Sequence, residues 1–308
     1  MKYGIIGVGA VGGYYGGVLA SNNKDVHFLL RSDYNHVKKY GFIVDSSLGN
    51  FTIPKVNAYS NSKDMPKCDI VIVTLKTTSN RQLSEILPNI VKKKGIVFVL
   101  QNGLGIEENI SNIVSEATIL SGVTNIASNK IGPGHIRHLD AGRITFGEYF
   151  LHYKPAGITE NMKLLAREFE QADINFIMTG NIGEARWEKL VWNIPYNGVS
   201  VILNATTKQI MNNLASRTLV RDMMLEVIAG ANKCNFSLPV ELAEKMLDFT
   251  DDLKDYKTSM MLDYKLKRPL ELDAIYWGAI NAAKSAGYNM PILNAIALQL
   301  EYLNSNNK

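Results

Sequence analysis

Three glycines, Gly7, Gly9 and Gly12, stand between an apolar stretch at residues 3–8 and a segment of helical character, and a second apolar stretch follows, ending in Arg31. A lone G-x-G-x-x-G run is weak evidence. Placed after a strand and opening a helix, it predicts a βαβ unit whose first turn holds a dinucleotide. Each glycine meets a different demand: Gly7 makes the tight turn, Gly9 lets the backbone approach a pyrophosphate, and Gly12 lets the helix pack against the sheet, with the diphosphate on the helix N-terminus. The whole turn, Gly7, Val8, Gly9, Ala10, Val11 and Gly12, is the expected cofactor cradle.

Arg31 refines the cofactor. An acid near the end of the second strand suits the ribose 2′-hydroxyl of NAD, whereas an arginine suits the 2′-phosphate of NADP. The stretch from Val26 to Ser32 contains no acid, and Asp33, two residues beyond Arg31, could instead cap the next helix. A charge-assisted phosphate contact contributes about 1.5–3 kcal/mol, enough to set the preference, so NADP(H) is expected over NAD(H).

The chain has 308 residues, enough for two domains, and its 46% hydrophobic content is that of a globular protein. A net charge of +4 is small for this length, and the basic residues are dispersed apart from Lys92-Lys93-Lys94, read as a solvated helix end. Nucleic acid is not an expected partner. Cys68 and Cys234, the two cysteines, have neither metal-ligand spacing nor the density of a disulfide scaffold, so no metal site is expected. Lys2 and the apolar stretch after it superficially resemble a secretion signal, but seven glycines between Tyr3 and Ala20 interrupt it. With no uninterrupted run of about 18 apolar residues to span a membrane, a cytoplasmic protein is expected.

The first part of the chain alternates strand and helix signals. After the opening unit come strands at 42–44, 70–75 and 96–100, a hairpin around 46–53, and a helix near 79–91. Further strands at 118–124, 135–138, 143–146 and 175–178, with a helix at 159–172, complete a Rossmann-type α/β domain over residues 1–179. Helical periodicity then takes over at 183–191, 215–232, 271–285 and 292–303, predicting an all-helical substrate domain over 180–308.

Within that helical part, Lys189, Asn193 and Asn197 recur every fourth residue and would share one face of a helix, an amine and two amides along one wall. Pro195 lies inside the run and predicts a kink or break, so that Asn197 would start a second segment. Ser259 and Glu271 offer groups for a carboxylate, hydroxyl or ammonium, although each taken alone reads first as a helix cap or a first-turn acid. Lys76 and Asn102 follow strands, at the carboxyl ends where open α/β sheets bind ligands.

With these motifs assembled, the chain resembles the ketopantoate reductases (2-dehydropantoate 2-reductases) over essentially its full length. The resemblance rests on the glycine turn with its distal arginine, Thr74-Leu75-Lys76, Gln101-Asn102-Gly103, the Lys189, Asn193, Asn197 series, Thr258-Ser259-Met260 and the 268–273 segment. It implies reduction of 2-dehydropantoate to pantoate with NADPH, a step toward pantothenate and coenzyme A. By position it implies Lys189 as general acid, Glu271 as its essential acidic partner, and Asn102, Asn193, Asn197 and Ser259 as substrate contacts. Lys76, Asn102 and Ser128 join the glycine turn and Arg31 as cofactor contacts. The chemistry suits these types, because hydride arrival at a ketone develops an alkoxide that needs a proton donor and a positive environment. The chain departs from the family at Gly198, where a proline is usual, and at Tyr256, where an asparagine is common. A paralogous reductase of another 2-keto or hydroxy acid, and a non-catalytic NADP-binding sensor, are the competing expectations, and a homodimer through the helical part is a further one.

Overall fold

Strand β1 (Lys2–Ile6) and strand β2 (Asp25–Leu29) run parallel, paired from Lys2↔Asp25 to Ile6↔Leu29, with helix α1 (Ala10–Ser21) as their crossover. This is the βαβ unit read from the glycines, seen here in a computed structural model that describes residues 1–307. Close contacts divide the chain into two compact units: residues 1–101 with 106–182, and residues 102–105 with those from Gly183 onward. Two differences from the expected boundary at 179/180 follow. The break falls three residues later, and the short segment Asn102–Gly105 belongs with the helical unit.

After α1 and β2, the first unit continues through α2 (Tyr34–Tyr40), β3 (Phe42–Ser46), β4 (Phe51–Ile53), β5 (Asn57–Tyr59), β6 (Cys68–Val73), α3 (Leu83–Ile90) and β7 (Val91–Val99). It ends with α4 (Ile106–Ile113), β8 (Thr118–Gly132), β9 (His135–Glu148), α5 (Glu160–Glu170) and β10 (Phe176–Met178). The strands form one sheet in the order β4-β3-β9-β8-β7-β6-β1-β2-β5, with β10 added beside β9. Apolar side chains on both faces, among them Ile5, Phe28, Ile72, Phe98 and Phe146, are buried, as a largely parallel sheet covered by helices requires. The chain passes from β1 to β2 on one side and returns to β6 on the other, so the order reverses at β1. That switch point is where such sheets bind ligands, at the carboxyl ends of the strands.

Three local expectations are corrected. The strands expected at 135–138 and 143–146 are one strand, β9, because irregularities in its pairing with β8 absorb the turn-like residues between them: Ala141 pairs with Ile126, Arg143 pairs with Asn125, and Gly142 is left over at φ +114°. Lys92-Lys93-Lys94 are not a helix end; they form an exposed irregularity early in β7, with Lys92 paired to Asp69 at 2.5 Å. Asp33 occupies the N-cap position of α2, yet its side chain makes no cap hydrogen bond and turns to Lys130 and Gly134 instead.

The helical unit comprises α6 (Ile182–Ile202), α7 (Thr207–Met211), α8 (Leu214–Lys233), α9 (Leu242–Asp251), α10 (Ser259–Lys265), α11 (Gly278–Ser285) and α12 (Pro291–Ser305). The expected helix at 271–285 is in two parts, a π-helical turn over Asp273–Trp277 followed by α11. Trp187, Tyr196, Tyr276 and Leu293 fill its core. α12 starts with Pro291 and has no side-chain cap of its own; the buried Glu226 of α8 accepts from the Ile292 and Leu293 N–H groups at 3.1 and 2.7 Å. Among the described residues no helix is long and apolar enough to cross a membrane.

Candidate active site

The candidate nucleotide site of the first unit is built by the end of β1. Gly7 has φ +89°, and a Cβ there would lie 2.1 Å from Leu75 N, so only glycine fits. A Cβ on Gly12 would lie 2.2 Å from Thr74 Oγ1 and 2.6 Å from Gly7 O; its absence lets α1 close onto the turn. Thr74 at the end of β6 donates to Gly7 O and Ile6 O at 2.8 and 3.0 Å, locking the turn to the neighbouring strand. At Gly9 the situation is reversed. A Cβ there would have Gly7 O, 4.0 Å away, as its nearest neighbour, so this face of the backbone is open. Helix α1 begins at Ala10 with no side-chain cap and no acid in its first turn, leaving N-terminal N–H groups for an anion. An open backbone face and an uncapped helix N-terminus fit a dinucleotide diphosphate. Val8 and Val11 pack partly buried against the core behind the turn.

The other nucleotide-side candidates lie around the same strand ends. Ser128 on β8 donates to Ala10 O at 3.3 Å, which ties the β8–β9 hairpin to the turn. Arg31, two residues past β2, is exposed, and among the described residues its guanidinium makes no ion pair or hydrogen bond. Lys76 is exposed and immediately precedes a 3-10 turn, Thr77–Gln82. The loop carrying it is braced by Gln101, whose amide donates to Leu75 O and Asn80 Oδ1, both at 2.6 Å.

In the helical unit, Lys189, Asn193 and Asn197 sit on one continuous helix. Pro195, expected to kink or break the helix, does not break it: α6 runs through it for 21 residues. Two features hold it together. Leu190, Val191, Ile194, Tyr196 and Val199 are all buried, so leaving the helix would expose apolar surface. Tyr276 also donates its hydroxyl to Ile194 O at 2.6 Å, bracing the turn that spans the proline. Gly198, the departure from the family pattern, makes this possible, because a Cβ there would lie 1.9 Å from Tyr276 Oη.

Lys189 is half-buried, and its ammonium is lowered to about 8, first by burial and then by the charge of Arg186 one turn earlier. Arg186 is buried and donates to Gly103 O at 2.8 Å. Gly103 (φ +107°) in turn lies against Ala274, where a Cβ would meet Ala274 O at 2.4 Å, and Leu104 N–H donates to Ala274 O at 2.9 Å. The segment bearing Asn102 is thus clamped between α6 and the π-helical turn that follows Glu271. Glu271 itself is buried, and its carbonyl accepts from Ile275 N–H at 3.2 Å.

Asn193 and Asn197 are both buried, and Asn197 Oδ1 has no hydrogen-bond partner among the described residues. An orphaned buried acceptor costs about 1–3 kcal/mol, which a ligand hydroxyl would recover. Ser259 is the exposed first residue of α10; the cap is its neighbour Thr258, which accepts from Met261 N–H at 3.2 Å. Ser200 spends its one proton on Asn197 O at 3.0 Å, so the 2.7 Å bond between Ser200 and Thr258 carries the threonine's proton. This relay ties the start of α10 to the turn of α6 bearing Asn197. Tyr256, the second departure, holds α7 through its backbone, with its carbonyl accepting from Thr207 N–H at 3.0 Å. Local sequence does not mark Arg186, Tyr276 or the Ser200–Thr258 relay; a charged residue three positions before Lys189 is the one signal it offers.

Residues 3–150 match the ketopantoate reductase PanE/ApbA family, and residues 181–302 match its C-terminal family, ketopantoate reductase PanE/ApbA C terminal. A curated 2-dehydropantoate 2-reductase from Nostoc sp. is 48% identical over 307 residues, covering 100% of this chain and 96% of its own. Among solved structures, 2-dehydropantoate 2-reductase from Geobacter metallireducens superposes with a TM-score of 0.93 at 37% identity, covering 100% of both chains. The enzyme of the same name from Methylococcus capsulatus gives 0.89 at 30% identity, covering 100% of this chain and 98% of its own. With both of its units matched and a relative at 48% identity along its length, the chain belongs to the ketopantoate reductase family.

Proposed function

We propose that this chain is an NADPH-dependent 2-dehydropantoate 2-reductase, forming pantoate in the cytoplasm on the route to pantothenate and coenzyme A. The observation that carries the reading is the row of Lys189, Asn193 and Asn197 on one unbroken helix, with the lysine's pKa brought to about 8. Gly7, Val8, Gly9, Ala10, Val11 and Gly12 would hold the diphosphate, Arg31 the 2′-phosphate, and Lys76, Asn102 and Ser128 would complete the cofactor contacts. When bound there, a reduced nicotinamide supplies hydride to a ketone carbon. Lys189 Nζ gives its proton to the ketone oxygen as negative charge develops on it, and the nearby Arg186 charge makes the region favourable for that charge. A donor with pKa near 8 is protonated at neutral pH yet gives the proton up readily. Asn193, Asn197 and Ser259 hold the substrate's carboxylate and hydroxyl groups, the orphaned Asn197 oxygen accepting from a hydroxyl. Glu271 orients the substrate or the lysine.

The test is NADPH oxidation with ketopantoate, repeated with NADH and with a panel of other 2-keto acids. Turnover of ketopantoate with NADPH, and little with NADH, is expected. Activity on another acid without turnover of ketopantoate would replace the substrate assignment with that of a paralogous reductase, a reading favoured by Tyr256 and Gly198. Cofactor binding without oxidation by any keto acid would mark a sensor.

A further inference from the structure

The acid nearest the end of β2 is Asp33, two residues from Arg31, and it is buried. Its Oδ2 pairs with Lys130 Nζ at 2.6 Å and accepts from Gly134 N–H at 3.0 Å, while its Oδ1 accepts from Ser32 Oγ at 3.1 Å. Burial alone would raise this carboxyl; the Lys130 and Gly134 hydrogen bonds and the Lys130 charge outweigh it and hold the group below the usual carboxylate range. Asp33 is therefore an anion at neutral pH, and Lys130 is the cation that cancels it.

Lys130 and Gly134 both come from the β8–β9 hairpin. Side chains two apart on a strand share a face. Between Ser128 and Lys130 the pairing with β9 is regular, Ser128↔His138 and Lys130↔Ile136. One face of β8 thus contacts the glycine turn through Ser128 and the loop after β2 through Lys130, spanning the two parts of the nucleotide site that a dinucleotide's diphosphate and adenosine ribose would occupy.

We infer that Lys130 is a positioning residue for cofactor choice: by pairing with Asp33 it removes the one carboxylate of the Arg31–Asp33 loop from competition, leaving Arg31 to a 2′-phosphate. This rests on the NADPH reading above. Without Lys130, the unbalanced Asp33 charge repels a 2′-phosphate and attracts the Arg31 guanidinium. Both effects weaken ligands that carry the 2′-phosphate, and neither acts on ligands that lack it.

The experiment is calorimetric binding of NADP⁺, NAD⁺ and 2′,5′-ADP to the full chain, with melting curves for each variant. Lys130→Met, which keeps the aliphatic stem, is expected to weaken NADP⁺ and 2′,5′-ADP about tenfold, one pKa-unit-sized interaction, while NAD⁺ changes by less than about twofold. Lys130→Arg should keep the wild-type ratio, and Lys130→Met with Asp33→Asn should regain most of the lost NADP⁺ affinity. Equal weakening of NADP⁺ and NAD⁺ by Lys130→Met, or no recovery in the double variant, would overturn the inference. A wild-type chain that binds NAD⁺ as tightly as NADP⁺ would instead overturn the NADPH reading itself.

Discussion

Replacing Gly198 by alanine sets two effects of opposite sign against each other. Within a helix, Gly→Ala ordinarily stabilises by about 0.5–1 kcal/mol, because glycine has more backbone freedom to lose. Here the new Cβ would fall 1.9 Å from Tyr276 Oη and 3.0 Å from Ile296 Cγ2. Restoring an ordinary contact of about 3.4 Å would move the hydroxyl by roughly 1.5 Å and break its 2.6 Å bond to Ile194 O. Overpacking costs about 1–3 kcal/mol and the lost hydrogen bond about 0.5–1.5 kcal/mol, so after the helix-propensity gain the net expectation is destabilisation by about 0.5–4 kcal/mol. Tyr276→Phe removes the hydroxyl and opens that space, so the double variant Gly198→Ala with Tyr276→Phe should lose about 1–3 kcal/mol less than the sum of the singles. Urea unfolding followed by far-UV circular dichroism measures all four proteins. A neutral or stabilising Gly198→Ala, or strict additivity in the cycle, would refute the bracing role given to Tyr276.

Three further predictions concern Lys189, Arg186 and Gly12. Lys189 must be protonated to donate, and its pKa is lowered to about 8; kcat/KM for keto-acid reduction should therefore be flat below that pH and fall with unit slope above it. Arg186→Met removes the positive neighbour that helps lower Lys189 and should carry the alkaline limb upward, whatever it does to the absolute rate; an unmoved limb in the pH profile would exclude the coupling. Gly12→Ala drives a methyl to 2.2 Å from Thr74 Oγ1 and should weaken NADPH binding at least about tenfold in a fluorescence titration, with the substitution's effect confined to the first unit. Wild-type affinity in that variant would show that the turn does not need the close approach.

The parts of this molecule readable in sequence are those whose cause is local. The glycine turn declares itself within six residues because each glycine answers a steric demand made by neighbours in the turn or the next strand, as the contacts of Gly7 and Gly12 with the 74–75 segment show. The Lys189, Asn193, Asn197 series was equally legible, since helical spacing alone aligns it. Pro195 by itself signals an interrupted helix; the hydroxyl that supports the helix there arrives from 82 residues away. Arg186 carries no local signal for the same reason, its partner Gly103 lying 83 residues back in sequence. Asp33 looked like a helix cap because capping is the local use of an aspartate at that position; the actual partners, Lys130 and Gly134, belong to a hairpin that strand order brings alongside. Likewise, Ala141 and Gly142 read as a turn between strands because their irregular pairing is imposed by β8, not by their own neighbours.

Lys189→Met isolates the proposed role of Lys189 as proton donor, because the substitution keeps the aliphatic stem and removes the ammonium. Turnover of ketopantoate under saturating NADPH, measured alongside NADPH affinity by fluorescence titration, should fall by about 10²–10⁴ while the affinity stays within about twofold of wild type. Turnover near the wild-type rate would contradict the assignment directly.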